Sequence, residues 1–190
     1  MSSNKVTPLS ALVAQLMSCA EKPSVDLVAR GKYLVTTGLC HDCHSPKVFG
    51  PQGAPIPDST RLLSGHPAEL PYPDWAPADL QQRNIVTSTN PMLTAWAGPW
   101  GVSFAANLTP DTSTGIGEWT EDTFIRTLRT GKHQGYANGR DILPPMPWQF
   151  IGQRTDDDLK AMWAYLRSLP PVKNQVPFPI PPGAPVSQAD

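Results

Sequence analysis

Cys40-His41-Asp42-Cys43-His44 is the stretch whose reading decides the fold. It reads C-x-x-C-H, the pattern through which a chain holds a haem covalently. Two thiols with two residues between them span the separation of the two porphyrin vinyl groups and bond to them as thioethers. The histidine directly after the second cysteine falls under the iron and offers an imidazole nitrogen. One helical turn therefore sets haem position, haem tilt and one axial ligand.

Two rival chemistries share part of the pattern. A thioredoxin-like redox pair needs a preceding strand and a reactive thiol in a strand–helix unit. Here a helical pattern precedes the motif, and no alternation of strands and helices follows it. A zinc site needs two further ligands at metal spacing. The other candidates are Cys19, His66 and His133, and none pairs with another at short spacing.

Working outward, residues 24–37 read as a helix, with Val25, Leu27, Val28, Tyr33, Leu34 and Val35 on its apolar side. Ser24 is its expected cap and Gly38 its stop. Thr120 caps a second helix, with Glu121 and Asp122 in its first turn, Phe124, Ile125 and Leu128 on one face, and Gly131 at its end. Thr155 caps a third. Asp156, Asp157 and Asp158 fill its positive end, Asp158 in the capping-box position. Leu159, Met162, Trp163 and Leu166 form its stripe, and Pro170-Pro171 stops it. Residues 45–118 read mostly as loop, with short helical possibilities near 78–84 and 90–96.

The chain has 190 residues, of which 23 are proline and 14 glycine. That share of turn formers excludes long sheets and long bundles. A charged fraction of 16 % excludes a highly charged tail, and a net charge of −1 gives no field that would draw nucleic acid. The charge is uneven: +2 over residues 1–50, −4 over 51–118 and +1 over 119–170. The acidic middle segment is either an ordinary solvated surface or a face that biases docking. The composition leaves room for one core. Three regions are expected: 1–23 as leader and linker, 24–172 as a single domain with a loop-rich insertion at about 50–103, and 173–190 as a proline-rich tail. The tail is expected to be extended on the surface or disordered.

The leader has two readings. Lys5 is followed by a short apolar stretch from Leu9 to Met17, interrupted by Gln15. That is a weak version of an export signal. Leu16-Met17-Ser18-Cys19 also resembles a bacterial lipoprotein signal, in which the cysteine carries the lipid. The plain alternative is a frayed helix with an ordinary buried cysteine.

Iron has a second axial position. The remaining donors are His41, His66, His133, Met92, Met146 and Met162. Met162 lies on the stripe of the last helix and reads as core. His41 sits inside the attachment turn and cannot reach the other face. Met92 follows Pro91 and competes. Met146 lies in Leu143-Pro144-Pro145-Met146-Pro147-Trp148, where the prolines keep the backbone extended and remove amide donors. Such a loop holds a thioether at a fixed height, so Met146 is the expected ligand and Met92 the runner-up.

The chain resembles a class I c-type cytochrome. It is most similar to the single-haem units of bacterial cytochrome c subunits that serve alcohol, sugar-acid and aldehyde dehydrogenases. The resemblance rests on Ala29 to Val35 leading into Cys40, on Asn107-Leu108-Thr109-Pro110-Asp111, and on Gly115 to Thr120. Leu143 to Pro147 and Ala164 to Pro170 match as well. Residues 50–103 depart from a minimal cytochrome of this class.

The resemblance implies an all-α, cytochrome c-like fold: few short helices around one covalent haem, with long proline-rich loops. It implies that Cys40 and Cys43 hold haem c, with His44 proximal and Met146 distal. Gly31 would meet Tyr165, or Trp163, where the first and last helices cross. Arg126 and Arg129 would reach a propionate or, at least one of them, face solvent on their helix, and Trp100, Trp119 and Trp148 would line the pocket. The implied function is one-electron transfer, not catalysis, between a dehydrogenase or respiratory complex and an acceptor. The implied place is the periplasm, in solution or anchored on the periplasmic side of a membrane through Cys19. A haem enzyme of peroxidase type, using His133 or His66, is the alternative. A subunit whose haem tethers or senses is a third reading.

Overall fold

Asp26 starts the first helix: its carboxylate accepts from Val28 N at 2.9 Å and Ala29 N at 3.1 Å. This relieves the orphan amides of the first turn. Ser24, the expected cap, lies outside the described residues, which in this computed structural model are 26–70 and 86–184. Helix α1 runs Leu27–Thr37. It buries Gly31, Leu34 and Val35, whereas Leu27, Val28 and Tyr33, expected to face inward, are exposed. Gly38 stops it, and Leu39 then takes a left-handed turn (φ 59°). A β-carbon makes that conformation unfavourable, and such strain collects at functional sites. The sharp turn sets the single turn α2, Cys40–His44, at an angle to α1.

Two small antiparallel sheets follow. The first pairs β1 (Lys47–Phe49) with β2 (Pro55–Pro57). The second runs in the order β3 (Ser88–Thr89), β4 (Ala95–Gly98), β5 (Gly101–Phe104). The all-α expectation therefore gives way to short helices with small sheets. The helical possibility at 90–96 ends instead in β4, after a left-handed Leu93. The one at 78–84 lies outside the described residues, as does the leader with Cys19.

Helix α3 (Glu121–Thr130) has the expected signals: Thr120 Oγ1 accepts from Thr123 N at 3.1 Å, and Gly131 closes the helix at φ 66°. Helix α4 is short, Trp148–Ile151. Helix α5 (Asp156–Ser168) is capped by Thr155, whose Oγ1 accepts from Asp158 N at 3.2 Å. The Asp158 carboxylate does not complete a capping box. It accepts from Arg30 Nε and Nη2 at 3.1 and 2.9 Å, tying α1 to α5.

The core is built on the crossing of α1 and α5. Leu34, Val35, Leu159, Ala161, Met162, Tyr165 and Leu166 pack there with Phe124 and Leu128 of α3. A β-carbon on Gly31 would lie 1.9 Å from the Ala161 carbonyl oxygen and 2.7 Å from Tyr165 Cβ. Only a glycine permits this approach, and its expected partner is Tyr165. Trp163 is only partly buried and stacks near Phe124 at 5.6 Å.

After α5 the described residues, up to 184, are built into the fold. Ile180 pairs with Val102 through two backbone hydrogen bonds of 2.8 and 2.9 Å. Asn174 Nδ2 donates to the carbonyls of Ser64 (2.7 Å) and His66 (2.9 Å), while its Oδ1 accepts from Ala68 N at 2.9 Å. The tail is thus a strap across residues 64–68 and β5.

Candidate functional site

His44 is buried at the end of α2. Its Nδ1 lies 2.8 Å from the Ala106 carbonyl oxygen. A carbonyl only accepts, so Nδ1 carries the proton and donates. Burial holds the ring below its usual pKa and therefore neutral. Nε2 is left with a free lone pair, the arrangement found where a histidine binds a metal and its other nitrogen is fixed by a carbonyl.

Cys40 and Cys43 precede His44 in the same turn and are not disulfide-bonded. Burial pushes the Cys40 thiol up to about 11 and raises Cys43 as well, so neither is a thiolate at neutral pH. A reactive redox pair has a depressed thiol pKa, so the environment opposes the thioredoxin-like reading and suits neutral thioethers. Among the described residues, no three His, Cys, Asp or Glu side chains converge as a metal cluster would require. That weakens the zinc reading.

Lys47, at the start of β1, is buried with its ammonium against the end of α2. Nζ donates to the carbonyls of His41 (3.0 Å), Asp42 (2.8 Å) and Ser45 (2.6 Å). The last carbonyls of a helix lack partners within it, and a cation there answers both the hydrogen bonds and the dipole. Lys47 therefore braces the turn that carries the motif, a role the sequence did not disclose.

Cys43 and His44 open onto a cavity with about 1010 Å³ of space between its walls, open solvent at its mouth included. Its walls are largely apolar: Trp96, Phe104, Leu108, Ile116, Trp119, Phe124, Leu128, Ile142 and Leu143. Met146 lines the same cavity with Pro145 and Pro147, whereas Met92 is not among its lining residues. A flat, largely apolar macrocycle would suit these walls beside Cys43, whereas Cys40 is not among the lining residues. They offer a nitrogen with a free lone pair and a thioether around one space.

The other expected side chains divide. Trp119 lines the cavity, but Trp100 and Trp148 do not; Trp96 takes a place on the wall instead. Arg126 pairs with Asp122 at 3.3 Å. Arg129 donates to the Gly152 carbonyl and pairs with Asp156 at 2.6 Å. Neither lines the cavity. The cation that does is Arg140, beside His133. No carboxylate pairs with it among the described residues, which suits it to an acidic group of the ligand. His66 is fully buried behind the wall, with its ring 4.9 Å from that of Phe104, and does not reach the cavity. Met162 is core, as expected.

The segment 50–103, which reads as an insertion, contributes directly to this site. Trp96 of β4 and Ser103 of β5 line the cavity, and Phe104 continues the wall. Pro179 of the strap closes one edge. No sequence signal marked these contacts, because they join residues far apart in the chain.

No protein-family model matches the chain. Curated relatives do. The gluconate 2-dehydrogenase cytochrome c subunit of Pantoea cypripedii is 28 % identical over 81 % of this chain and 27 % of its own length. The fructose dehydrogenase cytochrome subunit of Gluconobacter japonicus is 34 % identical over 45 % of this chain and 18 % of its own. The cytochrome c subunit of the quinone-dependent alcohol dehydrogenase of Gluconacetobacter polyoxogenes is 28 % identical over 76 % of this chain and 25 % of its own. The chain thus spans about a quarter or less of the length of these relatives. Among the described residues no helix is long and apolar enough to cross a membrane. With the motif, the buried neutral His44 and the cavity, these similarities support a cytochrome c-like subunit.

Proposed function

We propose that this chain is a class I, single-haem c-type cytochrome that relays one electron at a time. Cys40 and Cys43 hold haem c, His44 is the proximal ligand and Met146 the distal one. The one C-x-x-C-H of these 190 residues accounts for one haem. The observation that carries this reading is the convergence of Cys43, a neutral His44 with Nε2 free, and Met146 on one apolar cavity. The bound haem supplies the chemistry, its iron gaining and losing an electron. The chain's residues supply the rest. His44 and Met146 would hold the iron on its two faces and leave no position for substrate. The thioether of Met146 favours ferrous iron and raises the potential, as do the apolar walls. Arg140, on the cavity wall, would hold a propionate.

Its partners in this reading are a dehydrogenase or respiratory complex and an electron acceptor, met through a small transient interface. Haem attachment of this kind is made outside the cytoplasm in bacteria, so the chain works in the periplasm. Lipid on Cys19 would hold it at the membrane. Intact-mass analysis of the protein from native cells tests the anchor, which an unmodified Cys19 behind an intact Met1 would remove.

The haem reading is tested by Cys40→Ala together with Cys43→Ala. Haem should then be fully extracted by acid–acetone, whereas the parent protein retains it. Haem that resists extraction from the double variant overturns the assignment.

A further inference from the structure

The loop that carries Met146 has few ways to be fastened. Pro144, Pro145 and Pro147 have no N–H to donate. Met146 N turns inward to the Leu143 carbonyl at 3.3 Å, and Trp148 N takes the Met146 carbonyl at 2.9 Å. Both bonds are local and tie the loop only to itself. Among the described residues, one side chain from elsewhere grips it. Ser103 Oγ donates to the Pro144 carbonyl at 2.6 Å, across 41 residues of sequence.

Ser103 is itself aimed. It sits in β5 opposite Trp96 of β4, so both side chains share the sheet face that lines the cavity. Val102, on the other face, is pinned by Ile180 of the strap. Trp100 Nε1 donates to Ser103 Oγ at 3.3 Å. That occupies a lone pair and leaves the hydroxyl proton to go outward. The Trp96 carbonyl, at 3.5 Å, is the weaker of its two acceptors. The 2.6 Å contact to Pro144 takes the proton.

We propose that Ser103, oriented by Trp100, is a positioning residue that holds the Met146 loop against the cavity through the Pro144 carbonyl. The proposal rests on the reading of Met146 as distal ligand and gives the segment 50–103 a role in it. The segment brings a sheet to the distal loop and clamps the loop where its own prolines cannot. Without the clamp, the loop lifts more often and the thioether leaves the iron more readily.

Exogenous imidazole titrated into the ferric holoprotein tests this, with loss of the sulfur–iron absorption band reporting displacement of Met146. Ser103→Ala should bind imidazole roughly fivefold more tightly, within the range of about 2- to 12-fold that one neutral hydrogen bond carries. Trp100→Phe, which keeps a ring and loses the N–H, should shift in the same direction by less. Ser103→Thr should restore the parent affinity. Wild-type imidazole affinity in Ser103→Ala overturns the clamp and leaves the haem reading standing. The clamp is equally overturned if affinity rises only in step with a fall in the urea midpoint and Ser103→Thr fails to restore it. A parent protein with no sulfur–iron band overturns the distal assignment and the clamp together.

Discussion

A single carbonyl decides which nitrogen of His44 is available. The neutral ring could protonate either one. The Ala106 oxygen takes the Nδ1 proton, and burial keeps a second proton off. The same economy of partners makes Met146 testable against Met92. Met146→Ala should abolish the sulfur–iron band and give a high-spin ferric form or recruit a new ligand. If nitrogen replaces sulfur, the potential falls. Met92→Ala should leave spectrum and potential nearly unchanged, because Met92 does not line the cavity. Visible spectra of the two ferric variants check both.

His66 carries a different prediction. Nδ1 meets Thr94 Oγ1 at 2.9 Å, and Thr94 in turn accepts from Asn90 Nδ2 at 3.1 Å. Burial lowers its pKa from 6.5 to about 4, more than the Leu70 backbone and Glu69 raise it. Above pH 6.5 the ring is neutral folded and unfolded, and its contribution is complete. Between 6.5 and 4 the unfolded chain takes up the proton first, so stability falls with pH. At about 1.4 kcal/mol per pH unit the loss across that window is about 3 kcal/mol. Urea unfolding at about pH 7 and about pH 4.5 should show the fall in the parent protein and a smaller one in His66→Gln.

At the scale of elements, the crossing of α1 and α5 depends on Gly31. Gly31→Ala puts a methyl group into the Ala161 carbonyl, and the helices must part. Overpacking of this kind costs about 1–3 kcal/mol, and the backbone contact places it at the upper end. Thermal unfolding of the holoprotein should show the drop, with a lower yield of attached haem because α1 leads into Cys40. The helices were legible because their signals are local. Thr120, Gly131 and Thr155 cap where the sequence placed them. The faces were less so. Tyr33 reads as apolar but is exposed, with the Arg30 guanidinium 5.6 Å from its ring centroid. The strands were hidden. Ala95 to Phe104 is too short and too rich in Gly, Pro and Trp to show alternation, and its pairing is settled by the hairpin and by Ile180. Ser103 is hidden for the same reason: its partner, the Pro144 carbonyl, lies 41 residues away and only the folded chain brings it near, whereas Cys40, Cys43 and His44 announce themselves within five residues.

The whole molecule is held by more than its helices. The covalent haem of the proposed function would fill the space between α2, α3, the methionine loop and the β3–β5 sheet, which explains how so little regular structure closes a core. The strap completes the enclosure, with Asn174 at its centre. Asn174→Ala strands the carbonyls of Ser64 and His66 and the Ala68 amide, at a cost of about 1–3 kcal/mol. The variant should show an earlier urea midpoint, and removal of residues 173–190 a larger shift. The central claim is a haem with both axial positions filled by His44 and Met146. The ferric absorption spectrum of the intact holoprotein, recorded before and after cyanide, tests it most directly. A low-spin spectrum with the weak sulfur–iron band, little changed by cyanide, is the expected result. A high-spin spectrum that cyanide converts readily would contradict it, and would point to an open site beside His133 instead.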